Sequence, residues 1–326
     1  MADLLFALNA VAPIILLVAL GYILKKLGII PTELAKPINK IVFRVLLPVM
    51  LFNNIYGIED IKAIDFGYLI FVAVSVAVLF AIGVPLSCLF TKERGRRAVL
   101  IQAVFRSNYA LIGIPLAISL FGDDGAAVAS LLSAISIPVF NIFAVIALSL
   151  FDPSGKRPSV KGIVLGIVKN PLIIGIATAL VTLAIRALFV NVGISFRLSD
   201  ISAFTKVIGY LSDAATPIAL LALGAQFEFS AIGQMKREIL WGTLTRTLFV
   251  PIAAIGTAML FPSFTGAHFA AFVGLYCTPL AVSTVPMTQE MGSDSELAGQ
   301  LVIFTTLASA PGIFLFTYLL RLIGIF

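Results

Sequence analysis

The sequence predicts an all-α membrane protein with ten transmembrane helices in two inverted repeats of five. The 326-residue chain is 60% hydrophobic, with a mean hydropathy of +1.10. It divides into long apolar runs, and prolines recur at matching positions in its two halves. A soluble domain is only about 45–50% apolar. The surplus apolar surface must therefore face lipid.

A helix needs about 20 apolar residues to cross the hydrocarbon core of a bilayer. We predict spans at 4–24, 34–56, 66–90, 98–121, 126–150, 162–188, 203–226, 238–260, 267–291 and 297–322. Basic residues concentrate in the odd-numbered loops, as at Lys25, Lys26, Lys92, Arg94, Arg96, Arg97, Lys156, Arg157, Lys161, Lys236 and Arg237. The positive-inside rule makes these loops cytoplasmic. This predicts a multi-pass protein of the cell inner (cytoplasmic) membrane with both termini extracytoplasmic.

The composition argues against other classes of function. The net charge of +6 belongs to the short loops, so we expect no nucleic-acid partner. Cys88 and Cys277 lack a metal-like spacing, and His268 is the sole histidine. No nucleophile and base form a recognisable pair. We therefore predict no enzyme activity, no metal site and no cofactor beyond a possible coupling ion, H⁺ or Na⁺.

A polar loop divides the chain into halves. Residues 1–151 form the first predicted repeat, 152–161 a cytoplasmic linker and 162–326 the second repeat. One proline per span recurs between the halves: Pro13, Pro48, Pro85, Pro115 and Pro138 match Pro171, Pro217, Pro251, Pro286 and Pro311. Five spans per repeat invert the second half, which is typical of secondary transporters. The alternative is a chance alignment, because membrane helices tolerate proline.

The fourth and ninth spans carry proline and small polar residues near their middles. We expect both helices to break there, with new half-helices beginning at Pro115 and Pro286. Their positive ends would converge near the midplane and suit an anion. The alternative is two helices that are merely kinked.

Hydrogen-bonding side chains cluster around these predicted breaks. They are Asn108, Tyr109, Thr278, Ser283 and Thr284. Asn108 is the foremost candidate for substrate contact, because an amide both donates and accepts.

Ionisable residues inside spans are candidates for function, and here they are Arg44, Arg106, Asp213 and Arg246. Arg44 and Asp213 occupy equivalent repeat positions and could form an ion pair; alternatively, Asp213 couples transport to a proton or cation. Arg106 either attracts substrate or extends to the cytoplasmic interface.

Several segments together resemble one family. They are Asn39-Lys40-Ile41-Val42-Phe43 through Leu47-Pro48, Asn108 through Gly113-Ile114-Pro115, Lys169-Asn170-Pro171, Leu211-Ser212-Asp213-Ala214, and the ninth span with Glu296-Leu297-Ala298. Over nearly its whole length the chain resembles the auxin efflux carrier family, which includes the plant PIN proteins and bacterial malate and malonate carriers. The short linker is similar to that of bacterial members.

The resemblance implies a scaffold domain and a transport domain, each drawn from both repeats, with helices 4 and 9 broken and crossed. It implies carboxylate substrates, elevator-type alternating access and a homodimer. It also implies that Asn108, Pro115, Pro279 and Pro286 bind the substrate carboxylate. Sodium/proton exchangers and bile-acid-type symporters have a similar broad fold.

These observations predict a secondary transporter of small organic anions, such as malate, malonate or auxin-like acids, in contact with membrane lipid. The alternative is a sodium- or proton-coupled symporter or antiporter of the same fold with a different substrate. A cation exchanger should carry paired carboxylates near the crossing. The sequence has none adjacent to Asn108 or Pro286.

Overall fold

The computed structural model is built from helices. It describes the backbone of residues 2–57, 66–155, 160–191 and 196–326, and the side chains of these ranges except 2–11, 66, 130, 191 and 229–231. No strand occurs within those ranges. Parts of the second loop and of the predicted linker, residues 58–65 and 156–159, lie outside the described residues.

The described α-helices are numbered in chain order. They are α1 Ala2–Lys26, α2 Thr32–Ile41, α3 Leu47–Tyr56, α4 Phe66–Phe90, α5 Arg94–Phe105, α6 Ile114–Leu150, α7 Val160–Val168, α8 Pro171–Asn191, α9 Ser202–Gln226, α10 Phe229–Gln234, α11 Lys236–Leu244, α12 Val250–Ala258, α13 Gly266–Tyr276, α14 Thr284–Glu290 and α15 Ser295–Leu322. Helix α6 is kinked at Phe121 and Gly122, where the backbone leaves helical geometry.

Eight helical stretches within the described residues are long and apolar enough to cross a membrane. They cover the second to eighth and the tenth predicted spans. The first predicted span corresponds to α1, which is 25 residues long. The ninth is divided between α13 and α14, so neither piece is long enough by itself. The protein is therefore a multi-pass membrane protein.

Two pairs of helices pack closely through glycines. A Cβ atom on Gly224 of α9 would lie 2.0 Å from the carbonyl oxygen of Val18 in α1. A Cβ atom on Gly175 of α8 would lie 2.5 Å from the carbonyl oxygen of Pro48 in α3. Small residues allow such approach between membrane helices. Thus α1 packs on α9, and α3 packs on α8.

Three π-helical turns precede prolines. They are Val42–Leu46, Tyr109–Gly113 and Thr245–Phe249, followed by Pro48, Pro115 and Pro251. A proline clashes with the carbonyl four residues back and cannot donate to it. The wider π turn accommodates that missing bond, so these helices continue past their prolines.

Candidate functional site

Two of the predicted spans are interrupted by short non-helical segments. Helix α5 ends at Phe105, and Arg106 has extended backbone angles before helical structure resumes at Tyr109. Helix α13 ends at Tyr276, and α14 begins only at Thr284. The helices are therefore interrupted and not merely kinked.

The breaks lie earlier in the chain than the sequence predicted. Helical structure resumes before Pro115, and Pro286 lies in the first turn of α14. The expectation that half-helices begin at these two prolines is therefore wrong by a few residues. The first turn of a helix has unpaired N–H groups, so a proline there costs little.

The two interruptions, residues 106–108 and 277–283, meet at a place that we call the crossing. The backbone N–H of Asn108 donates to the carbonyl oxygen of Pro279 over 2.8 Å. Gly113 and Gly274 also approach closely, since a Cβ on Gly274 would lie 2.5 Å from the Gly113 carbonyl oxygen. Only glycine permits this contact. The irregular backbone of each helix is thus buried against the other, as it must be at membrane depth.

Arg246 binds the carboxyl-terminal ends of the two helices that lead into the crossing. Its buried guanidinium donates to the carbonyl oxygens of Thr278, Leu275 and Tyr276 over 2.8, 2.7 and 3.1 Å. It also reaches the carbonyl of Val104 at 3.5 Å. A cation is favourable at helix carboxyl ends. Arg246, a candidate for function in the sequence, therefore holds the ends of α13 and α5 together.

Arg106 is buried beside the crossing, with 2% of its surface exposed. Its guanidinium donates to Gln102 Oε1 at 2.9 Å, Asn141 Oδ1 at 3.0 Å, Ser283 Oγ at 2.9 Å and Met287 Sδ at 3.1 Å. All four partners are uncharged. Arg106 does not extend to the membrane interface, so that alternative is wrong.

Two amides orient the guanidinium. The Gln102 side chain donates to the carbonyl of Ala98, and that of Asn141 donates to the carbonyl of Ile137 at 2.9 Å. Each amide therefore presents its oxygen to Arg106. Neither Gln102 nor Asn141 is among the residues that the sequence pattern singled out. The spacing of four residues between Gln102 and Arg106 in the fourth predicted span was an available signal.

A cavity of about 50 Å³ is lined by this crossing and by helices α3, α6 and α9. Arg106, Ser107, Asn108, Tyr109 and Ser283 are among the residues that line it. Asn108 Nδ2 and Ser107 Oγ are buried and lack a hydrogen-bond partner within the described part of the chain. Among the described lining residues none is acidic, so the charge of Arg106 is uncompensated there.

The other predicted site residues lie around the crossing without lining this cavity. Thr278, Pro279, Thr284 and Pro286 are buried, whereas Pro115 is exposed. The Thr278 hydroxyl donates to the Gly274 carbonyl at 2.7 Å. Of the lining residues, Tyr109 donates its hydroxyl to the carbonyl of Ala129 at 3.1 Å. The structure thus brings Asn108, Tyr109, Ser283 and Arg106 together at one cavity.

Arg44 and Asp213 do not pair. Arg44 Nε donates to Glu290 Oε1 at 2.8 Å, which ties the segment before α3 to the end of α14. Asp213 is exposed on α9 and forms no ion pair with the residues described. Equivalent positions in two repeats need not be in contact, which explains why the predicted pairing fails. No group of three or more His, Cys, Asp or Glu among the described residues could hold a metal ion.

An all-helical, multi-pass chain whose broken helices meet at a buried polar site has the architecture of a membrane transporter. A family model described as membrane transport protein matches residues 6–162 and 157–317. The chain belongs to this family, so the resemblance to the auxin efflux carriers is confirmed.

Two archaeal relatives align over most of their lengths. An uncharacterized transporter of Methanothermobacter thermautotrophicus is 22% identical over 92% of this chain and 94% of its own. The uncharacterized transporter MJ1031 of Methanocaldococcus jannaschii is 27% identical over 90% of this chain and 91% of its own. Over 92% and 90% of its length the chain is therefore similar to two proteins named as transporters.

Proposed function

We propose that this protein is a secondary transporter of small organic anions, chiefly carboxylates, and that the cavity at the crossing is its substrate site. The observation that carries the proposal is the buried guanidinium of Arg106, whose described partners are all neutral. Burying an ion without a counter-charge costs several kcal/mol. A carboxylate in the cavity supplies that charge.

The unpartnered groups next to Arg106 support the same function. Asn108 Nδ2 and Ser107 Oγ each carry a proton that can be donated into the cavity. A buried donor without a partner costs about 1–3 kcal/mol. A carboxylate accepts several hydrogen bonds at once, so one ligand would satisfy the guanidinium, the amide and the hydroxyl together.

The position of the cavity suits alternating access by an elevator-type motion. Its lining comes from the crossing and α6 together with α3 and α9. We propose that the crossing belongs to a transport domain, and that α3 and α9 belong to a scaffold domain through which two copies associate as a homodimer. Movement of the crossing past α3 and α9 would carry a bound anion across the membrane. Proton or sodium coupling is compatible with this arrangement.

We also propose ten membrane crossings in two inverted repeats. Helix α1 and the α13–α14 pair would be the first and ninth crossings, in addition to the eight apolar stretches described above. The first helix of each proposed repeat packs on the second helix of the other: α1 packs on α9, and α8 packs on α3. Two inverted halves related by symmetry would pack in this way. Both termini would then be extracytoplasmic in the cytoplasmic membrane. Labelling of single cysteines at each terminus with an impermeant reagent tests this topology.

Uptake by proteoliposomes tests the function. Arg106→Gln is expected to lower both the affinity for a carboxylate substrate and the rate of its uptake. Arg321→Gln is the matched control, because Arg321 is exposed near the end of α15. Equal uptake and affinity in the two variants would contradict an anion site at Arg106.

A further inference from the structure

The polar groups of the cavity are unevenly distributed. Its one charged group, Arg106, and most of its other polar side chains belong to the crossing, Asn141 belongs to α6, and the crossing and α6 also contribute apolar residues. The helices on its other side contribute Leu47, Met50 and Leu51 from α3, together with Thr216 and Ala219 from α9. We call these five residues the α3–α9 wall. The wall has no charged group, and only Thr216 carries a hydroxyl.

That hydroxyl has a partner within the wall. Thr216 Oγ1 lies 3.8 Å from Met50 Sδ, within the range for a bond to sulfur. The bond turns the hydroxyl toward the methionine, and Met50 itself is buried. The wall therefore offers no strong donor to a second anionic group.

We infer that the α3–α9 wall determines substrate specificity. It selects anions with one charged end and a short uncharged remainder, and Met50 and Ala219 limit the length of that remainder. This inference rests on the proposed function, since Arg106, Ser107 and Asn108 must hold the charged end. It goes further because it assigns the choice among carboxylates to helices other than those that bind the carboxylate.

The size of the cavity supports the inference. Its volume of about 50 Å³ is far below the roughly 300–1,000 Å³ of pockets for drug-sized ligands. Once the charged end is bound, little space is left for the remainder. A second carboxylate there would lose its hydration against leucine and methionine side chains without gaining a hydrogen bond.

The first test uses the unaltered protein and pairs of acids of equal chain length. Propionate is compared with malonate and butyrate with succinate, by competition for uptake in proteoliposomes at neutral pH. The members of each pair differ in whether the far end is a methyl group or a carboxylate. We expect the monocarboxylate to bind at least about 10-fold more tightly, because the wall leaves a second charge unpaired. Dicarboxylates that bind as tightly as their partners would overturn the inference.

The second test changes the wall. Met50→Ala removes three heavy atoms beyond Cβ, so the preferred acid should lengthen by about three atoms, with about a fourfold gain in affinity for each methylene accommodated. Ala219→Leu should shorten the preferred acid. Met259→Ala and Ala177→Leu are the controls, because both residues are exposed. The inference is overturned when the wall variants and their controls prefer the same chain length.

The outcomes separate this inference from the proposed function. If no carboxylate binds, or if Arg106→Gln and its control Arg321→Gln have equal affinity, the proposed function fails. If Arg106→Gln lowers carboxylate affinity while the chain-length profile is unaffected by the wall variants, the specificity inference alone fails. If Met50→Ala does not fold, Ala219→Leu and the competition between paired acids in the unaltered protein still test the inference.

Discussion

Replacing Asn108 with alanine should separate substrate binding from stability. The side-chain nitrogen of Asn108 is buried without a partner among the described residues, and the side chain does not cap the helix that follows. The backbone bonds of Asn108 to Pro279 and Ile112 do not involve the side chain. Asn108→Ala therefore removes no side-chain hydrogen bond that the described structure contains.

The two effects of Asn108→Ala should have different magnitudes. Removing an unsatisfied buried donor relieves about 1–3 kcal/mol, and this offsets the packing lost with the side chain. The free energy of unfolding without ligand should therefore stay within about 1 kcal/mol of wild type or rise. A hydrogen bond to a charged group contributes about 1.5–3 kcal/mol, so affinity for the carboxylate should fall roughly 10- to 150-fold.

Thermal unfolding in detergent, with and without carboxylates, measures both effects, and uptake in proteoliposomes measures transport. Asn141→Ala is the contrasting variant, because the Asn141 side chain bonds to both Arg106 and Ile137. That variant should lose stability and affinity together. Wild-type affinity and uptake in Asn108→Ala would refute the assignment of Asn108 to the site.

Three further variants test other parts of the structure. Arg246→Met should destabilise the protein by at least about 3 kcal/mol without ligand, since it frees several buried carbonyl groups, and denaturant unfolding measures this. Gly274→Ala should destabilise by about 1–3 kcal/mol and reduce uptake, because the added methyl meets the Gly113 carbonyl; normal uptake would contradict the close crossing. If Asp213 couples uptake to protons, Asp213→Asn should flatten the pH dependence of uptake, whereas an unchanged profile would assign Asp213 to structure.

Much of the crossing could be predicted from local sequence. Proline and small polar residues in the middle of an apolar span indicate a break, and both breaks exist. Their exact positions were not predictable, because a helix can continue through a proline in its first turn or after a π turn. Asn108 and Ser283 could be predicted as site candidates because they lie beside the breaks. Broken backbone at membrane depth surrounds a cavity or is buried in protein, so polar side chains next to it can line that cavity.

The partners of the buried arginines were harder to predict. Arg246 bonds to backbone carbonyls 29 to 32 residues away along the chain, and carbonyls carry no sequence signal. Asn141 reaches Arg106 from 35 residues away through tertiary packing. The contact of Gln102 with Arg106 could have been predicted, because residues four apart in a helical segment are neighbours. Side-chain spacing within a helix is thus predictable, whereas contacts between helices require the fold.

The two buried arginines together support an anion as the proposed ligand of the site. A helix end carries roughly half a unit charge, negative at the carboxyl end and positive at the amino end. Arg246 contacts the carboxyl ends of α5 and α13, so its charge offsets about one negative unit. Arg106 has no such compensation, and the helical segment after Asn108 begins beside it. Positive charge therefore remains on the cavity side of the crossing. A cation site would need the opposite arrangement, with carboxylates where Arg106 and Asn108 now lie.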